Sequence, residues 1–234
     1  IECSEMSAEE LGALPIDLHT GAVDNIFPHH ENEIAQPKAA TGQELARFWL
    51  HAEHLLVDGA KMAKSDGNFY TLADVTAKGF EPVHLRMLYL QSHYRSKLNF
   101  SWEALEAVRE AYGRIQSFYD RLAGAGDTPA EDPVAVAKLL AQVRERFQAA
   151  MDDDLNTAEA LAAVFDFTRD ANALIDEGEL GDDELAAVLG TVTNLNRTLG
   201  VLTLEVEPVP DAIQALADER EKSRNQDDFA RADE

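Results

Sequence analysis

The stretch Phe27-Pro28-His29-His30-Glu31-Asn32-Glu33-Ile34-Ala35-Gln36 follows Ile16-Asp17-Leu18-His19-Thr20-Gly21-Ala22-Val23-Asp24-Asn25-Ile26, and this junction decides the reading of the chain. Ala22 to Phe27 is a short, partly apolar run. Pro28 then suits a helix start, where its fixed φ helps and its missing N–H wastes no donor. The helix should run through Ala40 and stop near Thr41-Gly42. On it His29 and Glu33 are four residues apart, so both side chains lie on one face. An imidazole nitrogen and a carboxylate oxygen make half of a zinc site, and Cys3, the only cysteine, offers a thiolate. Those three residues read equally well as a capping histidine, a surface glutamate and an unreactive thiol.

About thirty residues downstream the chain reads Leu56-Val57-Asp58-Gly59, then Lys61-Met62-Ala63-Lys64-Ser65, then Asp66-Gly67-Asn68-Phe69. Two lysines three apart in a glycine-flanked loop can carry mobile positive charge to a polyphosphate. The lysine ammonium is a compact point charge on a flexible stem and can follow charge that develops at phosphorus. A solvated surface loop would carry the same residues.

Together these stretches resemble the cysteinyl-tRNA synthetases. The likeness lies in Phe27 to Gln36, Lys61 to Ser65 and Gly67 to Phe69. It continues in His93-Tyr94-Arg95 with Leu98-Asn99-Phe100, and in Asp153-Asp154-Leu155-Asn156-Thr157 with Ala160-Leu161. It runs from Ile1 to about Leu202 and on into Asp228-Phe229-Ala230-Arg231-Ala232-Asp233. Two departures stand out: His19-Thr20-Gly21-Ala22 replaces His-Gly-Gly-Gly, and Ala63 replaces a serine. Nothing here resembles the His-Ile-Gly-His motif of the family's first half. The resemblance therefore implies an internal or C-terminal fragment of a larger enzyme, inactive alone.

The implied fold is α/β followed by all-α: the second half of a Rossmann-like class I catalytic domain, then an antiparallel helical bundle. Residues 1–95 would form the catalytic half with the lysine loop, 96–204 the tRNA-side bundle, and 205–234 a linker with the start of a C-terminal segment. The implied activity is ATP-dependent activation of L-cysteine and its transfer to tRNA(Cys). Lys61 and Lys64 would be catalytic, with Lys64 on ATP. Asp24 would touch the ATP ribose, and Cys3, His29 and Glu33 would ligate zinc. His30 is left out because only His29 lies four residues before Glu33. ATP would act with magnesium, in a cytoplasmic monomer. The alternatives are a mycothiol-pathway cysteine ligase, which shares zinc and lysine loop without tRNA, and a noncatalytic module derived from a synthetase.

Composition bounds these readings. The 234 residues suffice for one large or two modest cores, and 45% hydrophobic content is ordinary. No apolar run approaches the ~20 residues of a membrane span, and no secretory signal opens the chain. A single cysteine excludes a disulfide framework. A net charge of −24 argues against nonspecific nucleic-acid binding but leaves room for a local basic stripe.

Local patterns fill in the elements. Phe48 to Val57 reads as one strand. Thr71 and Asp74 form a capping box before Leu72-Ala73-Asp74-Val75, and Gly79 breaks that helix. Leu85, Leu88, Tyr89 and His93 recur at helical spacing. Helices are expected over 101–122, 134–151, 157–177 and 182–199, with a linker at 124–129 and a final charged helix after Pro208-Val209-Pro210. Leu105, Val108, Tyr112, Ile115 and Tyr119 make a core stripe. Asn156 and Thr157 suggest the N-cap of the 157–177 helix, with Asp152-Asp153-Asp154 favouring its dipole, and the resemblance makes Arg109, Arg114 and Arg121 candidate phosphate contacts.

Overall fold

The computed structural model describes residues 2–12, 14–124, 133–178 and 180–203. The expected linker, the 205–234 segment and its final helix lie outside the described residues, apart from Gly124 at the linker's start. Residues 1–202 form one compact unit.

Helix α1 (Glu2–Leu11) precedes strand β1 (Ile16–Ala22), which pairs in parallel with β2 (Ala46–Ala52). The register sets His19 beside Trp49 and Gly21 beside His51. Parallel strands need a crossover, and α2 (Glu31–Thr41) provides it. Before α2 the chain passes through a 3-10 turn at Val23–Asn25 and a π-type turn at Ile26–His30, with Phe27 extended (φ −133°, ψ 132°). The expected helix therefore begins in the residues after Phe27 and ends where expected. Gly42, at φ 75°, takes the left-handed cap that L side chains disfavour, and its amide bonds the Lys38 carbonyl.

The single strand expected over 48–57 is two strands in two sheets. Strand β3 (Leu55–Val57) pairs in parallel with β5 (Leu98–Phe100) and antiparallel with β4 (Ala60–Lys61). The break falls at Glu53-His54 because their amides leave the ladder. Glu53 N–H donates to the Tyr94 carbonyl at 2.8 Å, and His54 N–H to the Glu53 carboxylate at 3.1 Å. Asp58 (φ 49°) and Gly59 (φ 78°) both take left-handed backbone, the signature of a two-residue hairpin turn between β3 and β4.

Helices α3 (Leu72–Ala77) and α4 (Pro82–Leu90) connect this hairpin to β5. The Thr71–Asp74 capping box is formed in both directions. Helix α4 has a second box of unusual chemistry: His84, buried, accepts the Glu81 N–H on Nδ1 at 3.0 Å. Its ring also stands edge-on to Tyr112, with centroids 5.0 Å apart. Burial, with the nearby Arg109 charge, lowers the His84 pKa against the opposing pull of Glu81 and Glu106.

The unfolded chain protonates this histidine near pH 6.5, whereas the folded chain resists until a lower pH. Stability should therefore fall as pH drops from about 6.5 through the folded pKa. Denaturation midpoints between pH 7.5 and 5 should show a flatter pH slope for His84→Gln. The difference should not exceed about 1.4 kcal/mol per pH unit, the limit for one proton. Identical slopes for variant and parent would contradict this.

The helical part comprises α5 (Trp102–Gly124), α6 (Pro133–Asp152), α7 (Thr157–Asp176) and α8 (Asp182–Leu199). The expected stripe on α5 is its inner face, with Leu105, Val108, Ile115 and Tyr119 buried. Phe118 is buried too, edge-on to Phe167 of α7 with centroids 6.2 Å apart. Arg86 of α4 donates to the Leu199 carbonyl at 2.5 Å, closing the end of α8. Gly200 there has φ 61°, and a Cβ would sit 3.1 Å from the Arg86 side chain, so two constraints select glycine.

The N-cap of α7 falls where expected, while one of the acids before it is engaged elsewhere. Asn156 is the N-cap, accepting the Glu159 N–H at 3.2 Å. Asp154, in left-handed backbone (φ 55°), accepts the Tyr94 hydroxyl at 2.6 Å and pairs with Arg95 at 2.6 Å. The Tyr94 hydrogen bond, with the Arg95 pair, holds the Asp154 carboxyl below its ordinary range.

Candidate functional site

Period-two alternation on β1 and β2 projects His19 and Gly21 from one strand, and Trp49 and His51 from the other, toward the same face. These residues lie near the carboxyl ends of parallel strands, where open α/β sheets bind ligands. The approach to α2 supplies His29 and His30, and its first turn Glu33. His30 is buried, and its Nδ1 lies 2.7 Å from His51 Nε2, so the two rings share one hydrogen. The His30 ring lies 4.8 Å from that of His19 and 5.1 Å from Trp49. Burial first, then the neighbouring His19, push the His30 pKa down, and Glu33 only partly offsets them.

Gly21 makes this cluster possible. A Cβ there would meet the His30 ring at 2.5 Å, closer than real Cβ atoms come. Thr20 and Ala22 replace the neighbouring glycines expected from the resemblance, whereas the position against His30 is glycine.

Glu33 is the centre of the site, with its side chain 5% exposed. Its Oε1 lies 3.6 Å from His29 Nε2, while Oε2 lies 3.0 Å from His19 Nε2 and 3.9 Å from His30 Nε2. Among the described residues no hydrogen-bond donor is aligned on the buried Oε2, although His19 Nε2 stands within ion-pair distance. A buried carboxylate oxygen with free lone pairs among imidazoles fits a divalent cation of borderline softness. Donor atoms of His19, His30 and Glu33 all lie within 4.8 Å of one another. His29, half exposed, approaches Glu33 from the solvent side. The backbone of Cys3 belongs to α1, which packs on α2, but its side chain lies outside the described residues. The next residue, Ser4, donates to the Gln36 side chain at 3.4 Å, one turn beyond Glu33.

The lysine loop forms the second part. Lys61 ends β4, and Lys64 begins a 3-10 turn (Lys64–Asp66) that Gly67 leaves at φ 68°. Both lysines are exposed, and Lys64 Nζ rests 5.2 Å from the Phe69 ring centroid. Asp24 is exposed in the turn after β1. Of the candidate phosphate contacts, Arg109 pairs with Glu106 and lies over Phe80. Arg121 pairs with Asp176 and also donates to Asn172, and Arg114 is exposed.

Sequence reasoning passed over His19, Trp49 and His51. Their alternation within Leu18-His19-Thr20-Gly21 and Phe48-Trp49-Leu50-His51 was the available signal, but only the register shows that both strands face one cluster.

The chain thus joins a parallel βαβ unit with a polar cluster at its strand ends, a lysine loop and a following helical domain. The family described as tRNA synthetases class I (C) catalytic domain matches residues 1–110, and the DALR domain matches residues 146–203. A cysteine–tRNA ligase of Chlamydia pneumoniae is 45% identical over 235 residues, covering 100% of this chain and 49% of the relative. Those of Solibacter usitatus and Brevibacillus brevis are 43% and 41% identical, with 50% and 51% of the relatives covered. Across its whole length the chain is similar to cysteine–tRNA ligases, and it spans about half the length of the curated relatives it matches.

Among solved structures, a ternary LeuRS–tRNA–LeuAMS complex from Agrobacterium radiobacter K84 shares the fold, with a TM-score of 0.61 at 20% identity. The match covers 80% of this chain and 25% of that one. Among the described residues no helix is long and apolar enough to cross a membrane.

Proposed function

We propose that this chain contributes the amino-acid-reading and lysine-loop half of an enzyme that activates L-cysteine with ATP and transfers it to tRNA(Cys). The buried, unpartnered Glu33 Oε2 among imidazoles carries the reading, because an apolar pocket alone distinguishes side chains as small as cysteine, serine and alanine poorly. Glu33 and His29, with Cys3, would hold zinc, whose open position when occupied supplies a soft partner for the substrate thiolate. His30, neutral through burial and bonded to His51, keeps a second positive charge away from that position. Asp24 faces solvent where it can reach a ribose.

In the reaction the cysteine carboxylate attacks the α-phosphorus of ATP, accompanied by magnesium, and pyrophosphate leaves. Lys64, and Lys61 beside it, place positive charge on the phosphoryl and leaving-group oxygens as their charge grows. The terminal hydroxyl of the tRNA then attacks the acyl carbon and AMP leaves. Residues 1–95 are proposed as the catalytic half, 96–204 as the bundle that lies beside tRNA, and 205–234 as the start of a further segment. The setting proposed is a cytoplasmic monomer.

The test is ATP–pyrophosphate exchange in the full-length protein with cysteine, serine or alanine. Exchange should require cysteine, and metal removal by a chelator should cut the preference for cysteine over serine to what pocket shape alone supplies. Equal exchange with serine and cysteine before chelation would overturn the reading.

A further inference from the structure

The lysine loop has few internal constraints. Across 62–67 the backbone bonds are local ones, Asp66 N–H to the Ala63 carbonyl at 3.2 Å and Gly67 N–H to the Lys64 carbonyl at 3.4 Å. Both functional lysines point into solvent, so packing alone does not orient them. Yet the loop is closed across its mouth by one side chain. Asn68 accepts the Ala63 N–H on Oδ1 at 2.8 Å and donates from Nδ2 to the Lys61 carbonyl at 3.0 Å. The left-handed Gly67 immediately before it turns the chain back, so that residue 68 faces residues 61–63.

The base of the loop is held separately. Asn99 of β5 accepts the Gly59 N–H at 2.7 Å, and Asp58 N–H donates to the Phe100 carbonyl at 3.0 Å. The β3–β4 hairpin is therefore fixed to the sheet from outside the loop. What remains to be set is the direction of the segment that carries Lys61 and Lys64, and Asn68, on the returning arm, is bonded twice to the 61–63 arm.

We propose that Asn68 is a positioning residue for adenylation: its carboxamide clamps the lysine loop so that Lys61 and Lys64 approach one triphosphate together. The proposal rests on the functional reading above. The chemistry is specific to the amide group. The arm at 61–63 offers an acceptor at Lys61 and a donor at Ala63, and only a side chain carrying both functions can bond the two at once. Aspartate retains the acceptor for Ala63 but loses the donor to Lys61 and sets a negative charge between the lysines. Alanine loses both bonds. Phe69 follows Asn68 directly, so the clamp also sets the ring under Lys64 Nζ. Because the bond at 63 is made by the backbone amide, Ala63 loses nothing there by lacking a serine hydroxyl.

Amide hydrogen exchange on this chain reads the clamp without any activity. Asn68→Ala should speed exchange at Ala63 by about tenfold, the scale of a lost hydrogen-bond pair, with the thermal midpoint unchanged. Asn68→Asp should retain most of the Ala63 protection. In the full-length enzyme Asn68→Ala should lower the turnover of cysteine-dependent exchange by about tenfold, with the ATP Michaelis constant nearly unchanged, and Asn68→Asp should fall between it and wild type. Unchanged protection at Ala63 in Asn68→Ala overturns the clamp. Faster exchange with unchanged turnover overturns the positioning role. If the wild-type enzyme shows no cysteine-dependent exchange at all, the functional reading fails, and amide exchange alone decides whether Asn68 clamps the loop.

Discussion

On the proposed reading, Lys64→Ala in the full-length protein should lower the turnover of cysteine-dependent ATP–pyrophosphate exchange by about 10²–10³-fold, the usual loss for a group that stabilises transition-state charge. Michaelis constants for cysteine and ATP move far less. Lys64 is exposed in the 3-10 turn after Ala63, and among the described residues its side chain rests on the Phe69 ring, a contact loose enough to let it move to phosphate. Positive charge is worth most where negative charge grows, so its loss appears in turnover rather than in ground-state binding. Lys61→Ala should have the smaller effect, because Lys61 ends β4 and its carbonyl is tied to Asn68. A large rise in the cysteine Michaelis constant with turnover intact would show that Lys64 binds ground-state substrate instead.

The second large effect concerns Glu33. Glu33→Ala should empty the metal site and collapse the preference for cysteine over serine to what pocket shape supplies, at most about 10–200-fold. His29→Ala should do the same in weaker form. His30→Asn should leave the metal in place while disturbing the cluster, because His30 is buried and committed to His51. Metal content by elemental analysis, with relative cysteine and serine activation, separates these outcomes. Full metal in the His29 variant and none in the His30 variant would assign the metal to the buried His19–His30–Glu33 face instead of the His29 face. Unchanged metal content in Glu33→Ala would end the metal reading altogether.

Much of this was legible in order along the chain because the relevant physics is local. The end of α2 at Gly42, the Thr71–Asp74 box and the boundaries of α5, α7 and α8 follow from caps, breakers and helical periodicity within a few residues. The apolar stripe of α5 was readable for the same reason, since burial of one helical face repeats every three to four residues. The glycine-flanked lysine loop and the His29–Glu33 spacing likewise needed no distant residue.

What only the tertiary structure decided depends on partners far away in sequence. Glu53 ends β2 because its amide finds the Tyr94 carbonyl, so one apolar run becomes strands of two sheets. Asp154 reads as an acid placed to favour a helix dipole, yet its left-handed backbone delivers it to Tyr94 and Arg95, 60 and 59 residues away. Glu33 acquires its unpartnered oxygen only when β1 brings His19 and the turn before α2 brings His30 to it, with Gly21 leaving room for the ring. By itself the sequence determined which residues form helices and turns and which carry the chemistry, because propensity, capping and periodicity act between neighbours. The tertiary structure decided which of those residues meet, because strand register and burial alone bring distant side chains within bonding distance.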